Sequence, residues 1–196
     1  MGRPKNSGGA ARPLTDAEVK RLLVITSNPD QMNSRRNTML LKMLLLTGGR
    51  IGEVISLPVS SVYSGTDILP SLVFRKTKTG NARRIPINQS FQEELKSYIE
   101  QSLLPLEAPL FPSSKGQRFL SPAAGSLLVK NLLINAGIPD ASAHSTRKYH
   151  LNSLLKKNVD LQTIRMISGH KNLSSLQHYL SSTSVEVEEA INLIRV

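Results

Sequence analysis

The 196 residues carry 25 Lys+Arg against 14 Asp+Glu, a formal net charge of +11 and a pI near 10.2. The length suits one domain with its own core, and the positive excess points to nucleic acid or an anionic membrane surface as partner. The absence of Cys excludes disulfides and thiolate metal sites. No apolar run approaches the ~20 residues of a bilayer span, since Lys42 interrupts LLKMLLL.

Residues 1–13 are rich in Gly, Pro and Lys/Arg, have no apolar period, and read as a disordered basic tail without a secretory signal. Gly2-Arg3-Pro4-Lys5 has the flat, extended, basic character that fits a DNA minor groove, but a solvated tail is the commoner state of such a segment. Order is expected from residue 14 onward. Thr15-x-x-Glu18 forms a capping box ahead of Val19, Leu22 and Leu23. A second helix spans about Ser34 to Thr47, burying Met39, Leu40, Met43, Leu44 and Leu46, and Gly48-Gly49 breaks it. A short helix runs from Ile51 to Leu57 and stops before Pro58.

The middle of the chain reads as β. Leu72-Val73-Phe74 and Arg84-Ile85-Pro86-Ile87 make a hairpin turning at Thr79-Gly80-Asn81, with a weak strand near Ile68 beside it. Ser90-x-x-Glu93 caps a helix to about Leu103, and Pro105–Gln117 is a loop. Ser121-Pro122 opens another helix that ends at Gly137. Further helices are expected at about 143–157, 160–168, 173–180 and 184–194. The fold class is therefore mainly α with a small antiparallel β-sheet (α+β), in one domain covering residues 14–196.

Polar residues in a fixed order carry the chemistry. Arg50 follows a double glycine that lets backbone and guanidinium approach a ligand; Glu53, one turn on, can hold the Arg fork. An isolated R-x-x-E is more often a surface ion pair. Lys78 lies near the hairpin tip, where a flexible ammonium can protonate a leaving oxygen. Arg75, Lys76, Arg83 and Arg84 share that hairpin and read as a DNA-contacting ribbon. His144 and Arg147, at i and i+3, face one point near the positive end of a helix capped by Ser142 or Ser145. Lys148 and Lys171 add basic charge beside the two histidine motifs. His170 follows Gly169 at a helix end, and Tyr179 lies nine residues later. Taken singly, each has an ordinary structural reading; Tyr63, Tyr98 and Tyr149 have only that one, as packing tyrosines.

In this order and spacing the set resembles the tyrosine recombinase (phage integrase) family, over the catalytic domain. The resemblance rests on Thr47-Gly48-Gly49-Arg50-Ile51-Gly52-Glu53, Lys78-Thr79-Gly80 leading to Pro86, His144-Ser145-Thr146-Arg147, Gly169-His170 and Tyr179. A histidine often follows the family's H-x-x-R; Lys148 stands there instead. The N-terminal DNA-clamping domain of about a hundred residues has no counterpart here, which implies either a compact recombinase of the short fimbrial-switch type or a fragment.

The resemblance implies a site-specific recombinase acting on double-stranded DNA in integration, excision or inversion. Tyr179 is then the nucleophile that forms a 3′-phosphotyrosyl bond. Arg50, His144, Arg147 and His170 stabilise the transition state, and Lys78 is the general acid. No metal and no other cofactor is expected. Expected partners are DNA, three further copies in a tetramer on paired sites (with monomers in free solution) and DNA-bending accessory proteins. The expected location is cytoplasmic, at the nucleoid of a bacterium or phage host, with no membrane. The residues after Thr183 form an apolar-faced helix that docks on a neighbouring protomer or in cis. The alternatives are a type IB topoisomerase, which uses a similar pocket, and a non-catalytic DNA-binding regulator.

Overall fold

Thr15 opens the first helix as its spacing predicts. Its hydroxyl accepts from the Glu18 amide at 3.2 Å, and the Glu18 carboxylate returns to the Thr15 amide at 2.8 Å. The computed structural model describes residues 11–75, 82–114, 116, 118–170, 172 and 176. In chain order these form α1 (Asp16–Thr26), α2 (Ser34–Thr47), α3 (Ile51–Ile55), a single 3-10 turn (Val59–Ser61), β1 (Ser71–Phe74), β2 (Arg83–Pro86), α4 (Gln89–Gln101), α5 (Pro122–Asn135), α6 (Ala143–Lys156) and α7 (Leu161–Ser168). The protein is mainly helical with one two-stranded antiparallel sheet. The helix expected at 184–194, all but Leu176 of the one expected at 173–180, and the hairpin tip lie outside the described residues.

α2 is the axis of the fold, packing against α1, α3, α4 and α6. Its residues Leu40, Leu41, Met43 and Leu44 are wholly buried, which accounts for its apolar run without a membrane. Leu46 corrects the expected core list: it is 43% exposed, and Leu41 and Leu45 are buried instead. Gly48, in the left-handed region at φ 59°, ends α2 as a glycine cap.

The sheet pairs Leu72 with Ile85 and Phe74 with Arg83. Leu72, Phe74, Arg83 and Ile85 all turn inward, the period-2 signature of a half-buried hairpin. Ile68 does not extend this sheet; it makes a single bridge to Tyr63. α3 is shorter than expected: it ends at Ile55, and the Leu57 carbonyl and the Val59 and Ser60 amides bond to residues 106–110 instead.

Two more boundaries differ from the sequence reading. α4 is capped by Asn88, whose side chain accepts from the Phe91 amide at 2.9 Å, and not by Ser90. Arg12, assigned above to the tail, donates to Glu18 and Asp140 and so ties the entry of the chain to the α5–α6 loop. A separate small cluster of Leu151, Ile164 and Leu176 joins α6 to α7. Tyr98 is a packing residue, stacked on Phe111 and donating to the Leu110 carbonyl at 2.8 Å. Among the described residues no helix is long and apolar enough to cross a membrane.

Candidate active site

The α2–α3 junction is built around the two glycines. A β-carbon on Gly48 would sit 2.5 Å from the His150 ring, and one on Gly49 would sit 2.7 Å from Val54 and 2.8 Å from the Phe74 ring. Both glycines are therefore demanded by packing inside the protein, a different reason from the ligand approach inferred from sequence. They bring the α2–α3 turn down onto the hairpin and leave Arg50 at the N-cap of α3 with its side chain 32% exposed.

Glu53 holds Arg50 at two points. Its Oε2 accepts from the Arg50 amide at 2.7 Å and its Oε1 from Arg50 Nη1 at 3.1 Å. The same two oxygens accept from Arg83, at 2.7 Å and 3.1 Å. Burial pushes the Glu53 carboxyl up, but the Arg83 hydrogen bonds, the Arg50 amide and both positive charges outweigh it and leave it near 2.

Arg83 is thus corrected from a DNA-contacting residue to an internal one. It is 6% exposed, and its guanidinium carbon lies 4.5 Å above the Phe74 ring. The strand alternation that turns Arg83 inward turns Arg84 outward, where it donates to Ser71 at 2.8 Å. Arg75, like Arg84, is exposed.

α6 supplies the second half of the site. Ser142 caps it, accepting from the His144 amide at 3.3 Å. Arg147, one turn in, is 2% exposed. It donates to the Gly48 carbonyl at 2.6 Å and the Ser168 carbonyl at 2.7 Å, clamping the ends of α2 and α7 together. Gly169, at φ 69°, stops α7 and turns the chain so that His170 Nε2 lies 3.5 Å from Arg147 Nη2. A guanidinium only donates, so His170 Nε2 accepts. Its Nδ1–H then donates to Ser168 Oγ at 2.7 Å, and Ser168 Oγ donates to the Arg165 carbonyl.

Arg50, His144 and Arg147 line one cleft of about 340 Å³ together with Gly49, Ile51 and Ser142. Burial and the charges of Arg147, Lys148 and Arg50 push His144 below its ordinary value. Burial, followed by the Arg147, Arg50 and Arg83 charges, pushes His170 down to about 4. Both imidazoles are neutral near pH 7, so each has one proton-accepting nitrogen: that of His170 faces Arg147 Nη2, and that of His144 belongs to the strongly positive cleft. Such a cleft can receive an anion and take a proton from a group entering with it.

The fold brings Arg50, Glu53, His144, Arg147 and His170 together. Lys148 is half-buried at the same turn of α6. Lys76, Lys78, Lys171 and Tyr179 lie outside the described residues. Sequence reasoning missed His150, whose Nδ1–H donates to the Leu45 carbonyl at 3.0 Å and whose ring fills the space over Gly48. It also missed the inward face of Arg83, for which the alternation with Ile85 was the available signal.

A model of the phage integrase family matches residues 12–186. The tyrosine recombinase XerD of Caulobacter vibrioides is 29% identical over 182 residues, covering 87% of this chain and 58% of that protein. The tyrosine recombinase XerA of Pyrococcus horikoshii is 28% identical over 190 residues, covering 96% of this chain and 63% of that protein. The chain therefore spans less than two thirds of the length of these curated relatives. Among solved structures, the XerA recombinase crystal structure superposes with a TM-score of 0.76 at 22% identity, over 100% of this chain and 68% of the other. The XerH site-specific recombinase in a post-cleavage complex with palindromic difH substrate gives 0.74 at 21% identity, over 92% and 52%. At these identities the superpositions establish the shared fold.

Proposed function

The chain belongs to the phage integrase family, and from that premise we propose that it is the catalytic domain of a site-specific DNA recombinase. Its substrate on this reading is double-stranded DNA, cut and rejoined through a 3′-phosphotyrosyl intermediate. The observation that carries the reading is the convergence of Arg50, His144 and Arg147 on one cleft, with His170 bonded to Arg147. The relatives' names and the XerH–difH complex support the assignment of activity and substrate.

The chemistry is a transesterification. The Tyr179 oxygen attacks the scissile phosphorus; a P–O(Tyr) bond forms and the P–O5′ bond breaks. Arg50 and Arg147 neutralise the non-bridging oxygens as negative charge accumulates on them. Neutral His144 accepts the phenol proton, directly or through water. Lys78 gives a proton to the departing 5′-oxygen. The phosphotyrosine conserves the bond, so religation by a 5′-hydroxyl reverses the same steps without ATP or metal. Four copies on two paired sites then exchange strands, assisted by DNA-bending proteins, in the cytoplasm at the nucleoid.

Incubation with duplex DNA flanking the gene's own locus, in EDTA, tests this reading. Recombinant junctions or nicks bearing a free 5′-hydroxyl are the expected products. A strict requirement of the cutting step for Mg²⁺ would contradict it.

A further inference from the structure

Arg83 lies outside the cleft, yet it shares a carboxylate with the arginine that lines it. We propose that Arg83 is a positioning residue: it holds Glu53 so that Arg50 keeps most of its guanidinium turned to the scissile phosphate. The proposal rests on the recombinase reading above and adds a residue to its machinery.

Glu53 has two oxygens and receives four hydrogen bonds, two from Arg50 and two from Arg83. Each oxygen takes one from each arginine. Arg50 consequently uses only Nη1 of its side chain on Glu53. Without Arg83, the 8%-exposed Glu53 side chain would have a single cation left to satisfy it. A fork-to-fork pair with Arg50 would then form, since a guanidinium matches a carboxylate with two parallel bonds. That pair would turn a second Arg50 nitrogen away from the cleft and cancel the charge meant for the phosphate. With Arg83 present, two cations share one anion, and the surplus positive charge falls on Arg50, the more exposed of the two.

Arg83 cannot drift from this position. Its side chain is 3% exposed, and its guanidinium sits over the Phe74 ring. Phe74 is also its cross-strand partner. The far edge of that ring, with Val54, leaves no room for a β-carbon on Gly49, the residue before Arg50. Sheet, ring, guanidinium and carboxylate thus form one continuous strut under Arg50. A surface ion pair worth little would have none of these supports.

Suicide cleavage by Arg83→Met and Arg83→Lys is compared with wild type on three nicked duplexes. The first has an ordinary scissile phosphate, the second a methylphosphonate, and the third a 5′-bridging sulfur. R83M is expected to cleave the ordinary phosphate about 10²-fold more slowly, the scale of losing one aimed donor, with DNA affinity nearly unchanged. On the methylphosphonate, whose phosphorus lacks the charge Arg50 neutralises, the defect relative to wild type should shrink at least tenfold. R83K, which can fill one oxygen, should fall between; it also serves if R83M does not fold.

An equal defect on all three duplexes would reduce Arg83 to a structural role and overturn the proposal. Relief by the sulfur alone would route the effect through Lys78 and overturn it too. The NMR order parameter of the Arg50 Nε–H in the free protein gives a readout without cleavage: R83K should change it, and an unchanged value sinks the proposal. Wild-type cleavage of the ordinary duplex separately reports on the recombinase reading.

Discussion

Arg50 and Arg147 carry the same charge in different surroundings, and their alanine variants should differ accordingly. Arg147 is buried and satisfies two main-chain carbonyls. R147A leaves both carbonyls and a cavity behind; each buried unsatisfied group costs about 1–3 kcal/mol, so stability should fall together with cleavage. Arg50 is partly exposed, and Glu53 retains Arg83 when it is lost. R50A should therefore stay within about 1 kcal/mol of wild type while cleaving about 10²–10³-fold more slowly. Urea unfolding beside suicide cleavage separates the two; comparable destabilisation of R50A would contradict the account. For Lys78, K78A should recover on a 5′-bridging sulfur, a leaving group that needs no proton, whereas equal defects on oxygen and sulfur would transfer the acid role to Lys76. At this scale the convergence of Arg50, His144, Arg147 and His170 was legible because their order and helix spacing set them at neighbouring element ends. Arg83 was misread because charge alone does not say which face of a strand a residue occupies.

Among the elements, the α2–α3 turn is the most constrained. G49A must displace both Val54 and the Phe74 ring, and G48A combines a left-handed φ with a clash on His150. Overpacking of this kind costs about 1–3 kcal/mol, and both variants should also lower cleavage because the turn aims Arg50 and presents the Gly48 carbonyl to Arg147. Thermal unfolding checks this: wild-type stability in G49A would mean that the hairpin and the turn are not packed as described. The end of α2 was legible because Gly48 is a strong local stop signal, whereas its start has no side-chain cap: Asn33 precedes it in a left-handed conformation. The start of α4 was not, since Asn88 and Ser90 are both good caps two residues apart and only the Phe91 amide decides between them. Leu46 was misplaced because helical period gives a stripe, not the edge at which neighbours stop covering it.

Over the whole molecule, His144, His150 and His170 are all pushed below their ordinary value, first by burial. The unfolded chain therefore binds more protons than the folded one once pH drops below about 6.5, so stability must decrease as pH falls toward the folded values, about 4 for His170. Added positive charge on a chain already at +11 acts in the same direction. Chemical denaturation midpoints should decline from about pH 7.5 to pH 5, above the range in which Glu53 protonates; a level or rising midpoint would refute histidines held neutral by the fold. The α+β architecture and the order of the site were readable from capping signals and spacing, whereas the sharing of Glu53 needed the fold. The central claim, a tyrosine-linked cut in DNA, is tested most directly by trapping protein on a nicked suicide duplex in EDTA and sequencing the DNA-linked peptide. The account predicts a denaturation-resistant adduct through Tyr179, absent in Tyr179→Phe although that variant binds the duplex equally well. An adduct that persists in Tyr179→Phe, or a linkage at another residue, would contradict it.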